Sequence, residues 1–204
     1  MGLNQYSFQP DYNKAYDDIA TEFYLPCMRS SVLYNRISGY FGSTIYIIAW
    51  DAIKEFVANH GHMRLICSPF LSDEDKAAIN EGYESKGNEI VLKSIEKEIN
   101  GLFGSEYLSK PARVLACLVA MNVIEIKIAI PGELDNPDIK RLFHDKAGVF
   151  VDLEGNAVGF RGPMNETFKG LSSDGNLESI DVFPSWEGDR DRLRLTRVQE
   201  YFEQ

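Results

Sequence analysis

An imidazole, a primary amine, a carboxamide, a hydroxyl and a carboxylate fall within one stretch of this chain: His144, Lys146, Asn165, Thr167 and Glu178. Together these types can hold a phosphodiester and attack its phosphorus without a metal. A neutral imidazole is a competent nucleophile near pH 7. A carboxylate on its second ring nitrogen fixes the tautomer and stabilises the imidazolium, and Glu178 is the candidate. Lys146, Asn165 and the Thr167 hydroxyl can donate hydrogen bonds to phosphate oxygens whose charge grows in the transition state.

These residues meet only if the chain turns back on itself. His144 and Lys146 precede an apolar run, Ala147 to Val151, and in an extended chain alternate residues share a face. The run stops at Asp152-Leu153-Glu154-Gly155-Asn156, a turn by composition, with Asp152 as its first residue. Ala157 to Phe160 leads back. A hairpin centred near Glu154 sets Gly162 to Met164 opposite His144 to Lys146. Asn165 and Thr167 follow at the strand exit. A third run, Ser179 to Phe183, begins just after Glu178 and can pair alongside.

The same segment resembles the phospholipase D superfamily, whose signature is HxK, a short strand, then a glycine-led element ending N-x-S/T. His144-Asp145-Lys146 supplies the first part and Gly162-Pro163-Met164-Asn165-Glu166-Thr167 the second. Pro163 stands where that family places a small hydroxyl residue, which removes one phosphate contact. The pattern from His144 to Trp186 is most similar to the phospholipase D-like domains at the N-terminus of bacterial DEAD/DEAH-box helicases and in defence-associated nucleases. YNRISGYFGS, HMRLICSPFLSDED and EIKIAIP in the first part of the chain add to it. The resemblance spans Asp11 to Phe202.

It implies a phospholipase D-like α/β fold and a nuclease, DNA being favoured over RNA, working through a phosphohistidine on His144. It implies no cofactor and no metal. Superfamily sites usually join two HxK motifs across a pseudo-twofold axis. This chain has one, which implies a homodimer sharing its active site. A helicase domain or subunit and a role in antiviral defence are implied partners and setting. Two rivals stand beside this reading: a catalytically silent nucleic-acid-binding or assembly module, and a lipid phosphodiesterase.

The remaining elements read as follows. Tyr12 to Tyr24 is expected as a helix ending before Pro26, and Val32 to Tyr40 as a strand. Ile45, Ile48, Ala49, Ala52, Ile53, Phe56 and Val57 form a helical apolar stripe, stopped by Gly61. Met63 to Cys67 is a buried strand, so this strand–helix–strand unit favours parallel pairing. A helical excursion at about 72–121 follows, opened by Ser72 as N-cap, with further helices at Asn88 to Asn100 and from Ser105 or Ser109 to Met121. Ile124 to Ile130 is a strand, Pro131 to Asp138 a loop, and Asp189 to Phe202 a closing helix. The sum is a mixed sheet with helices on both faces. Sites in such folds cluster at strand ends. Tyr40, Phe41 and Ser68 there are expected to contact substrate, with turn and core packing as the alternative. Glu166 joins them, its alternative being a carboxylate in the first turn of a helix. His60 and His62 read as surface residues.

A chain of 204 residues accommodates one domain, whole or excised from a larger protein. A net charge of −10 argues against non-specific DNA binding by the whole surface, but leaves room for a local basic cleft. Arg190, Arg192, Arg194 and Arg197 read as a solvated helix face, with a phosphate track as the alternative. No transmembrane run or signal pattern is present. The 3 scattered cysteines suit a reducing cytoplasm, and without paired Cys or His a zinc site is disfavoured.

Overall fold

The computed structural model describes residues 2–104, 108–131 and 142–204. The expected loop after Pro131 and the opening at Ser105 lie outside the described residues.

Among the described residues, seven strands form one mixed sheet in the order β1-β7-β6-β5-β2-β3-β4. They are β1 (Asp11–Asn13), β2 (Leu33–Ser38), β3 (His62–Cys67), β4 (Ile124–Ile128), β5 (Ala147–Val151), β6 (Ala157–Arg161) and β7 (Ser179–Pro184). The helices are α1 (Leu25–Ser30), α2 (Tyr46–Ala58), α3 (Asp73–Ser85), α4 (Glu89–Phe103), α5 (Pro111–Ala120), α6 (Phe168–Leu171) and α7 (Asp189–Glu203).

The strand–helix–strand unit pairs β2 with β3 in parallel, as the apolar stripe on α2 required. β5, β6 and β7 are antiparallel neighbours, and β5 closes against β2. The hairpin register puts Ala147 opposite Arg161, and Gly162 N–H donates to Lys146 O at 3.4 Å. The His144–Lys146 end therefore faces Gly162 to Met164, as expected.

Side-chain alternation along β5 divides the core. Gly148 and Phe150 face the large helical layer, where Phe150 stacks on Tyr34 at a centroid distance of 3.9 Å. Such a pair adds roughly 0.5–1.5 kcal/mol beyond the area it buries. Ala147 and Val149 face the other way, against Phe183 and the α7 residues Leu195 and Val198. Helices thus cover both faces, with α3, α4 and α5 forming the excursion between β3 and β4.

Three expectations need correction. The helix at Tyr12 to Tyr24 is instead strand β1 on the sheet edge, then a π-helical run, Ala20–Tyr24, continuing into α1. Pro26 lies inside this continuous helical run, directly after its π-helical turns, rather than ending a helix. α5 opens at Lys110 rather than at a serine, and no side chain caps it. Ser72 and Asn88 do cap α3 and α4 through their side-chain oxygens.

Candidate active site

The site sits at the sheet edge where β2 and β6 end and β5 begins. Its centre is Gly39, the residue after β2. A Cβ built there would meet His144 Cδ2 at 3.1 Å, Lys146 Nζ at 3.2 Å and Asn165 Oδ1 at 3.3 Å. Three of the predicted residues thus converge on one point, and the missing side chain is what lets them approach so closely. Gly39 opens the Gly39-Tyr40-Phe41 strand end that the sequence marks as a pocket lining, with no role of its own assigned to it.

His144 is exposed. Its ring meets that of Tyr40 edge-on at 5.8 Å, and Tyr40 leans on Phe70 at 6.2 Å. Lys146 is 5 % exposed, and its Nζ lies 2.8 Å and 2.9 Å from the two imidazole nitrogens and 2.9 Å from His144 O. Burial lowers the Lys146 pKa from its ordinary value; Glu178 and Asp145 pull it back up, and Arg36 adds to the lowering. Asp145, on the opposite face of the strand, pairs with Arg161 at 2.6 Å.

Asn165 accepts the Tyr40 N–H on Oδ1 at 2.9 Å. Among the described residues its Nδ2 has no hydrogen-bond partner, so it is available to donate. Thr167 is the N-cap of α6, its Oγ1 accepting from Gly170 N–H at 3.1 Å. Its hydroxyl proton stays available, so the side chain serves the helix first and a ligand second.

Beside Asn165 opens a groove of about 630 Å³, lined by Tyr40, Thr44, Ile47, Thr167, Phe168, Lys169 and Asn176. It is mostly apolar with one lysine, a shape and composition suited to a small organic group beside a phosphate.

Four predicted roles change. Glu178 is buried at the head of β7, but no hydrogen bond joins it to His144. Its carboxylate accepts from Asn176 Nδ2 at 3.3 Å and acts electrostatically on Lys14 and Lys146. Among the described residues Glu178 makes no ion pair within 4.0 Å and no hydrogen bond to the imidazole it was expected to orient; it favours the charged forms of Lys14 and Lys146 from a distance. Glu166 does not face the substrate side. It is 1 % exposed, and its carboxylate accepts from Arg36 Nε at 2.8 Å, Tyr34 Oη at 3.1 Å and Tyr24 Oη. Phe41 is 4 % exposed and packs on Tyr46 in the core. Ser68 is fully buried, and its hydroxyl has no partner among the described residues. Burial takes all three away from any substrate; Tyr40 alone of the strand-end candidates lines the open site. Asp152 opens its turn as expected, accepting from Glu154 N–H and Asn156 N–H, and it also holds Leu3 N–H at 2.8 Å.

Sequence reasoning missed Arg36 and Ser38. Arg36 was detectable: a guanidinium inside a buried strand demands a carboxylate. The Arg36 pKa is raised; burial alone would lower it, but Tyr34 and Glu166 outweigh that effect.

Among the described residues no group of three His, Cys, Asp or Glu side chains could hold a metal ion, and no helix is long and apolar enough to cross a membrane. Neither a protein-family description nor a curated protein matches the chain. Among solved structures, NucT from Helicobacter pylori superimposes with a TM-score of 0.51 at 13 % identity, covering 95 % of this chain and 91 % of that one. A mixed seven-stranded sheet flanked by helices and a match along nearly the whole of both chains lead to one conclusion: this chain has a phospholipase D-like α/β fold.

Proposed function

We propose that this chain is a metal-independent phosphodiesterase that cleaves nucleic acid, DNA in preference to RNA. The observation that carries the reading is the convergence on Gly39 of an exposed imidazole, a buried amine and a carboxamide whose Nδ2 has no partner among the described residues. The fold it shares with NucT, a nuclease of the phospholipase D superfamily, supports it.

His144 is the nucleophile. In the free protein Lys146 Nζ lies against both of its ring nitrogens. A bound phosphodiester offers that ammonium a better acceptor, so Lys146 turns from the His144 carbonyl and ring face to a non-bridging oxygen. Asn165 Nδ2 donates to the same phosphoryl group, and the Thr167 hydroxyl is a third donor. Attack forms the phosphorus–nitrogen bond and breaks the bond to the leaving ester oxygen. That oxygen needs a proton, which His144 of the partner subunit supplies in a twofold dimer. The same group then takes a proton from water, which attacks phosphorus and releases His144. Glu178 favours the charged form of Lys146 against the effect of burial.

The test is incubation of labelled DNA and RNA in chelator, comparing wild type with His144→Ala. Cleavage by wild type alone is expected. A requirement for added magnesium or manganese would refute the mechanism. The assembly is tested by light scattering at assay concentration: a dimer is expected, and an active monomer would refute the shared site.

A second reading, a non-catalytic module of a helicase or defence complex, is favoured by Pro163 in the second motif element and by the net charge of −10. Inactivity of the folded wild type on both substrates would put it first.

A further inference from the structure

Asn165 lies in the segment between β6 and α6, where no strand ladder holds it. Its neighbours on both sides are held from β2 instead. Arg36 Nη2 donates to Met164 O at 2.5 Å. Glu166 N–H donates to Ser38 Oγ at 2.9 Å, and Glu166 O accepts from Gly42 N–H at 3.0 Å. Ser38 Oγ in turn donates to Tyr40 O at 2.6 Å. Tyr40 N–H returns to Asn165 Oδ1 at 2.9 Å. The hydrogen bonds close a circuit: Ser38 hydroxyl to Tyr40, Tyr40 to the Asn165 side chain, and the next peptide back to Ser38. Beneath it, the Glu166 carboxylate is anchored by Arg36, Tyr34 and Tyr24.

We propose that Ser38 and the buried Arg36–Glu166 pair are positioning residues, which hold the Asn165 carboxamide and Tyr40 in register with His144 and Lys146. The assignment rests on the phosphodiesterase reading for its effect on rate, and on geometry alone for its effect on Asn165. A buried ion pair is a poor source of stability, since an apolar set of similar volume does as well. What an apolar set lacks is direction. The guanidinium here grips both the Glu166 carboxylate and the Met164 carbonyl, and so brackets Asn165 in the chain. Ser38 is fully buried and touches no substrate, yet it joins the two segments that supply Tyr40 and Asn165.

The discriminating variant is Ser38→Ala, with Ser31→Ala as its control. Ser31 is equally buried, and its hydroxyl donates to Cys27 O at 2.7 Å, away from the site. Displacing a phosphate donor by about 1 Å costs on the order of 10²-fold in rate. Ser38→Ala is therefore expected to lower kcat by about 10- to 100-fold with KM little changed, while Ser31→Ala keeps wild-type kcat. Nitrogen-15 spectra should show the Asn165 side-chain amide shifted in Ser38→Ala and unmoved in Ser31→Ala. An unmoved Asn165 amide in Ser38→Ala would overturn the proposal even if the wild type proved inactive. Equal kcat losses in the two variants would overturn it as well, because a general loss of stability would then suffice. Inactivity of wild type with a shifted amide would refute the functional reading and leave the positioning role standing.

Discussion

Lys146 Nζ sits within 2.9 Å of both nitrogens of the His144 ring, at the base of an exposed imidazole and itself almost wholly buried. The ammonium is kept out of water for the sake of the site. Because its folded pKa is lowered, the folded state holds the Lys146 proton less tightly than the unfolded chain does. The charge therefore costs stability below the folded pKa, and the cost is relieved as pH rises from there towards the ordinary lysine value. Lys146→Met should raise the midpoint of thermal unfolding at pH 7 and lower single-turnover cleavage by about 10²–10³-fold, as loss of an oxyanion donor does. A stabilised variant with full activity would remove Lys146 from the mechanism.

Exposure makes the opposite forecast for the neighbour. The His144 ring lies outside the core, so His144→Ala should leave the circular dichroism spectrum and unfolding midpoint near wild type. Turnover should fall to background. A folded, fully active variant would end the catalytic reading.

Glu178 offers a choice between two roles. It acts on Lys146 by holding that pKa up. Glu178→Gln removes the negative charge, so the Lys146 pKa should fall further. The alkaline limb of the pH–rate profile should then move to lower pH, with a rate loss smaller than that of Lys146→Met. If the acid limb moves instead, Glu178 serves the imidazole after all.

The Arg36–Glu166 pair should behave as a buried pair does when one member is lost. Arg36→Met leaves the Glu166 carboxylate without its cation, retaining only the hydroxyls of Tyr24 and Tyr34. The expected cost is about 3–5 kcal/mol. Arg36→Met combined with Glu166→Leu should recover part of it. Urea titration of the three proteins decides; a neutral single variant would show that the tyrosines alone satisfy the carboxylate.

Much of this molecule follows from local rules. The α2 stripe between two apolar runs required a parallel unit, and β2 pairs with β3 accordingly. The turn at Asp152 set the β5–β6 register, and the register brought Gly162 opposite Lys146. Alternation then placed His144 and Lys146 on one face. Periodicity, turn chemistry and register are properties of neighbouring residues, so a sequence carries them.

Tertiary structure alone decided which way each loop side chain turned. Asn165 and Glu166 are adjacent and both polar, yet one lines the open site and the other lies in the core. The difference is made by Arg36, which comes from β2 and gives a buried carboxylate its counter-charge. Phe41 and Ser68 went inward, and Tyr40 outward, by the same kind of long-range packing. β1 escaped notice because so short a strand carries no usable period and exists through its pairing with β7. Burial of a charge depends on the partner that meets it, and that partner is chosen only when the sheet has brought distant segments together.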